Sequence, residues 1–90
     1  MDKPTFIGQA EELIGKLKDE CKSKSIAALE GNIDSFKNMC AETLTTREDV
    51  FDDAAKNLDA IETDCPDSAL IVDELKTILD QAKQLKCGGP

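Results

Sequence analysis

The chain has 90 residues, 40% hydrophobic and 33% charged, with 19 acidic and 11 basic side chains, no histidine and a net charge of −8. Its only aromatics are Phe6, Phe36 and Phe51, so the basic, aromatic-interleaved footprint of a nucleic-acid binder is missing and anionic membrane surfaces are disfavoured. This length supports one domain, residues 1–90, and a chain so short hides only about 60–65% of its unfolded surface, which leaves its core a thin margin.

Helical periodicity runs along nearly the whole sequence. In the first segment Phe6, Ala10, Leu13, Leu17 and Cys21 recur at steps of 4, 3, 4 and 4, with Ile7 and Ile14 widening the stripe. Pro4 suits a first turn, where its missing N–H has no intrahelical partner to lose. Gly8 and Gly15 each lower helix propensity by about 1 kcal/mol relative to alanine. The plain reading is a soft helix, preferred over close approach of a neighbouring helix or a ligand. Lys16, Lys18, Lys22 and Lys24 gather toward its end, opposing the negative pole of the macrodipole.

Ser23 or Ser25 can cap a second helix, whose stripe is Ile26, Leu29, Ile33, Phe36, Cys40 and Leu44. Gly31-Asn32 interrupts this segment without shifting its phase, so one continuous helix is expected. Thr45-Thr46-Arg47-Glu48 contains the Thr-x-x-Glu pattern of a capping box. A third helix follows, with Val50, Phe51, Ala54, Ala55, Leu58 and Ile61 inward. Cys65-Pro66 stops it, because proline restricts the residue before it and cannot extend the hydrogen-bond ladder. Asp67-Ser68 offers the N-cap of a fourth helix. Ile71, Leu75, Ile78, Ala82 and Leu85 line one side of that helix, with Leu70, Val72 and Leu79 beside them. Gly88-Gly89-Pro90 then closes it in residues favoured after a helix C-terminus. Alternating apolar runs and Asn-Gly or Asp-Gly turns do not occur. The expected fold is all-α: about four amphipathic helices in an antiparallel bundle-like array, since short connections set successive helices antiparallel.

Four cysteines in so small a chain suit a disulfide framework in an oxidising compartment. Cys21, Cys40, Cys65 and Cys87 are separated by 18, 24 and 21 intervening residues, which matches neither a Cys-x-x-Cys redox motif nor a zinc site. In an up-down-up-down bundle Cys21 and Cys65 fall at one end, and Cys40 and Cys87 at the other. A disulfide needs Cα atoms within about 7 Å, so the predicted pairs are Cys21–Cys65 and Cys40–Cys87. Disulfides imply secretion. Met1-Asp2-Lys3-Pro4 is no signal peptide, so export would make Met1 an addition to a mature chain. Asn-x-Ser/Thr is absent, and N-glycosylation is not expected. No apolar run is long enough to span a membrane.

Catalytic chemistry has little to work with. Ser23, Ser25, Ser35 and Ser68 have no histidine to activate them, and each has a plainer capping or surface role. Adjacent carboxylates such as Asp52 and Asp53 read as a solvated helix face. The acidic stretch Asp64 to Glu74 invites comparison with a calcium loop, but it lacks the central glycine and contains Pro66. Glycine-rich phosphate loops are absent. The chain therefore reads as a non-enzyme with no cofactor and no metal.

Charge is the remaining signal. Residues 1–46 carry 6 basic and 8 acidic groups (net −2), residues 47–74 carry 2 and 10 (net −8), and residues 75–90 carry 3 and 1 (net +2). Asp49, Asp52, Asp53, Asp59 and Glu62 on the third helix form the candidate acidic binding face, suited to steering toward a basic protein surface. Solubility alone is the plainer account of the same charges.

An acidic helical chain with one isolated cysteine near each of four helices (Cys21, Cys40, Cys65 and Cys87) resembles the small secreted helical proteins of arthropod saliva and haemolymph. The resemblance lies in layout and implies binding of a host or self protein, or of a small hydrophobic ligand, without catalysis. The six-cysteine pattern of insect odorant-binding proteins is not present. The sequence thus points to a secreted, monomeric protein-binding module, an inhibitor or an immune or haemostasis modulator. The alternative is a carrier of a small hydrophobic ligand in a helical cavity.

Overall fold

The computed structural model describes residues 3–37 and 48–83. Four α-helices account for nearly all of them: α1 (Lys3–Glu20), α2 (Ser25–Lys37), α3 (Glu48–Asp64) and α4 (Ala69–Ala82). A single 3-10 turn, Pro66–Ser68, precedes α4, and the described residues contain no strand. The all-α reading holds.

Each helix begins and stops for local reasons. Pro4 sits in the first turn of α1. The last bond of that helix runs from the Cys21 N–H to the Leu17 carbonyl, at 2.7 Å. Of the two candidate serines, Ser23 opens α2. Its hydroxyl accepts the Ser25 N–H at 3.2 Å, and its carbonyl accepts the Ile26 N–H at 3.3 Å. Both bonds satisfy donors that the first helical turn would otherwise leave unpaired. Helix α2 runs unbroken through Gly31-Asn32. Helix α3 finishes with the Cys65 N–H on the Ile61 carbonyl (2.7 Å), and Pro66 turns the chain, with the Ser68 N–H bonding the Cys65 carbonyl at 2.9 Å. The capping box at Thr45, and the roles expected for Leu44, Leu85 and the terminal Gly88-Gly89-Pro90, lie outside the described residues.

Cross-helix contacts fix the directions. Lys18 and Glu11 on α1 pair with Glu30 and Lys37 on α2, so rising numbers meet falling ones. Between α2 and α3, Ser23 meets Asp64 and Phe36 meets Phe51. Ser68, at the start of α4, meets Glu20 at the end of α1. Neighbouring helices are therefore antiparallel, and α1–α2, α2–α3, α3–α4 and α4–α1 pack in a ring. This is the up-down-up-down arrangement that short connections favour.

The core lies inside that ring. Leu17, Leu29, Leu58, Ile61, Val72 and Leu75 are fully enclosed, each worth about 1.5–3 kcal/mol relative to exposure. The three phenylalanines form a chain across three helices. Phe6 meets Phe36 edge-on at 5.5 Å and 72°, and Phe36 meets Phe51 at 4.6 Å and 38°. Such offset or edge contacts suit the quadrupoles of the rings.

Three details depart from expectation. Ala55 faces solvent rather than the core, because α3 turns Phe51, Ala54, Leu58 and Ile61 inward and Ala55 falls beside that stripe. Leu70 is 80% exposed, one position off the stripe that buries Val72 and Leu75. Ser68 makes no side-chain cap for α4, because its hydroxyl is taken by Glu20. Gly8 and Gly15 have nothing within 4 Å of where a Cβ would stand, so close helix approach does not explain them.

At one end of the ring Cys21 and Cys65, 44 positions apart in sequence, form a disulfide with Cα atoms 5.9 Å apart. This is the predicted pair, and antiparallel packing is why it forms. Cys40 and Cys87 lie outside the described residues. No described helix is long and apolar enough to cross a membrane.

Candidate functional site

The acidic helix α3 carries Glu48, Asp49, Asp52, Asp53, Asp59, Glu62 and Asp64 against one cation, Lys56. The bundle divides the five carboxylates of the candidate face among three directions. Asp53 leans toward α2, where its Oδ2 accepts the Asn32 Nδ2–H at 2.9 Å and a longer bond from Asn57 at 3.4 Å. Asn57 also donates to Asn32 Oδ1 at 2.7 Å. Asn32 is buried, and both ends of its amide are satisfied, as burial of a polar group requires.

On the opposite flank Asp59 and Glu62 face α4 and share Lys76. Nζ stands 2.8 Å from Asp59 and 3.8 Å from Glu62. The hydrogen bond to Asp59 holds the Lys76 pKa above its ordinary value of 10.5; partial burial opposes the rise, and attraction from Asp59, Glu62 and Asp73 adds to it. Asp49 and Asp52 remain on the outward side, both exposed, and Asp49 Oδ1 accepts the Val50 N–H at 3.1 Å. The outward patch is thus narrower than the sequence suggested.

A second ion cluster joins α1 to α2. Lys37 reaches Glu11 at 2.8 Å and Asp34 at 3.4 Å. Its pKa is raised by the hydrogen bonds to Glu11 and then Asp34, against a smaller desolvation effect. Lys18 pairs with Glu30 nearby. Such exposed pairs contribute little stability each, but they engage two of the cations that the N-terminal half carries.

The disulfide end is tied by two further bonds. Ser23 Oγ donates to Asp64 at 2.6 Å, and Ser68 Oγ donates to Glu20 at 2.7 Å. Ser68 is only 2% exposed, so its hydroxyl joins α1 to the start of α4 and offers no accessible nucleophile. Ser35 donates to the Gly31 carbonyl within α2. Among the described residues no three His, Cys, Asp or Glu side chains converge as metal ligands would.

Sequence reasoning passed over one surface. Helices α1 and α4 leave an open groove of about 500 Å³ between them, lined on one side by Gln9, Glu12, Leu13 and Lys16 and on the other by Leu70, Asp73, Glu74, Thr77 and Ile78. Leu13 and Ile78 form a nearly buried floor, and Leu70 stands exposed at the edge. The available signal was Leu70 itself, an apolar residue out of phase with its helix. A smaller recess of about 190 Å³ lies between α1 and α2, beside Lys18 and Glu30.

No family model, curated protein or solved structure matches this chain.

Proposed function

We propose that the protein is a secreted, non-enzymatic binding module whose partner is a protein with a basic surface, in keeping with the salivary and haemolymph proteins it resembles in layout. The observation that carries this reading is the uneven charge on a rigid scaffold. Helix α3 has a net charge of −6, from seven acids and one lysine, and Asp67, Asp73 and Glu74, in the segment that follows, are exposed acids too. Lys76 offsets Asp59 and Glu62, whereas Asp53 is bonded to neutral amides and keeps its charge, so Asp49, Asp52 and Asp53 project the field outward. A field of one sign raises the encounter rate with an oppositely charged partner and is weakened by salt. The Cys21–Cys65 disulfide suits an extracellular setting, where such bonds persist.

Carriage of a small hydrophobic ligand is the second reading. Ala10, Ala54 and Ala82 are at most 1% exposed, which favours close helix packing over a lined chamber and places this reading behind the first.

The test starts with affinity capture from secreted body fluids, followed by affinity measurements with the captured protein over a range of salt. The association rate should fall steeply with salt, and D49K/D52K should lower it about tenfold while leaving the fold intact. An affinity indifferent to both would remove the electrostatic reading.

A further inference from the structure

The groove between α1 and α4 combines three features. Its floor is apolar, built from Leu13 and Ile78, which are 8% and 9% exposed. Its edge carries Leu70, the one large hydrophobic residue that is strongly exposed among the described residues. Its rim holds Glu12, Asp73 and Glu74 against Lys16, a net charge of −2. An apolar trough with an acidic rim is complementary to a helix that has leucine-like anchors on one side and cations flanking them.

Size agrees with that occupant. From Leu70 to Ile78 the α4 wall advances eight residues, roughly 12 Å, or about two helical turns. A partner helix with apolar residues at i, i+4 and i+7 spans about the same length. A second copy of this chain is a poor occupant, because it would bring a net charge of −8 to an already acidic rim.

We infer that the α1–α4 groove is the docking site for a basic amphipathic helix of the partner, with Leu70 packing against its apolar anchors and Glu12, Asp73 and Glu74 receiving its lysines or arginines. This inference rests on the basic-partner reading above and adds a location and a secondary structure to it. The outward acids of α3 then act at long range, and the groove makes the contact. Hot spots of this kind depend on a few central apolar groups ringed by polar ones.

The probe is a synthetic peptide of about four helical turns, with leucines at the stated spacing and lysines beside them. It is titrated into isotope-labelled protein and followed by amide chemical shifts. The shifts should cluster on the facing sides of α1 and α4. L70S and E74K should each weaken binding about tenfold or more. Both positions are exposed, so unfolding midpoints should stay near that of the parent, which separates lost binding from lost fold. D52K should change the salt dependence and leave the shifted residues the same. A peptide that keeps the leucines and replaces the lysines with glutamates should not bind.

Shifts centred on Asp49 and Asp52 would overturn the groove while sparing the basic-partner reading. Equal binding of the glutamate peptide would overturn both. An absence of binding, or a dimer of this chain abolished by L70S, would overturn the groove assignment.

Discussion

Replacement of Phe36 by alanine tests the packing that holds the ring of helices together. Phe36 is 3% exposed and stands between Phe6 and Phe51, so it links α2 to both α1 and α3. A buried phenylalanine hides at least about 150 Å², worth about 4 kcal/mol at 25 cal/mol per Å². Phenylalanine-to-alanine changes in packed cores cost about 3–5 kcal/mol. Two ring contacts of about 0.5–1.5 kcal/mol each fall within that total. A domain of this length is stable by only roughly 5–13 kcal/mol, so F36A should lose about 4 kcal/mol and a third or more of its stability. Urea unfolding followed by circular dichroism measures this directly. F36L should cost about 1–2 kcal/mol, because volume is largely kept and the ring contacts are lost. L70A, at an 80% exposed site, should fall within about 0.5 kcal/mol of the parent. A loss below about 1 kcal/mol for F36A would refute the three-ring core.

Other expectations follow from named contacts. Replacing Cys21 and Cys65 together by alanine opens a 44-residue loop and should cost about 4 kcal/mol on the chain-entropy model, read as a lower urea midpoint. N32A should cost about 1–2 kcal/mol, and a double-mutant cycle with D53A should show coupling of about 1 kcal/mol across their 2.9 Å bond. Lys76 has its pKa raised in the folded state, so its contribution is complete below its ordinary value of 10.5 and disappears as pH rises through the elevated one. K76M should therefore flatten the alkaline decline in stability. The effect should stay under about 1 kcal/mol because the pair is largely exposed.

Much of the architecture is legible in the residues. The stripe Phe6, Ala10, Leu13, Leu17 and Cys21 sets both the buried face of α1 and the placement of Cys21 beside Cys65, since periodicity and helix direction together fix which end each residue reaches. Pro66 marks the end of α3 for a purely local reason. What escapes is decided between helices. Asn32 interrupts an apolar segment, yet it lies three residues after Leu29 and four before Phe36, on the inner stripe. Its partners Asp53 and Asn57 appear only once α2 and α3 are paired. Ser68 likewise looks like a cap until α1 brings Glu20 within reach.

The candidate site shows the same limit more strongly. Asp49, Asp52, Asp53, Asp59 and Glu62 share one helix, and sequence alone treats them as one face. A helix in a bundle has two flanks as well as an outer side, so neighbours bind Asp53 on one flank and Asp59 with Glu62 on the other. The α1–α4 groove joins residues more than fifty positions apart, such as Glu12 and Glu74, and no local pattern announces it. Leu70 alone hinted at it.

All these contacts depend on α1 and α3 presenting their ends to each other in an antiparallel ring. Proteolysis of the unreduced protein followed by mass spectrometry tests that arrangement most directly. A linked pair of peptides carrying Cys21 and Cys65 is the predicted product. A peptide pair joining Cys21 to Cys40 would contradict the ring, and the α1–α4 groove would fall with it.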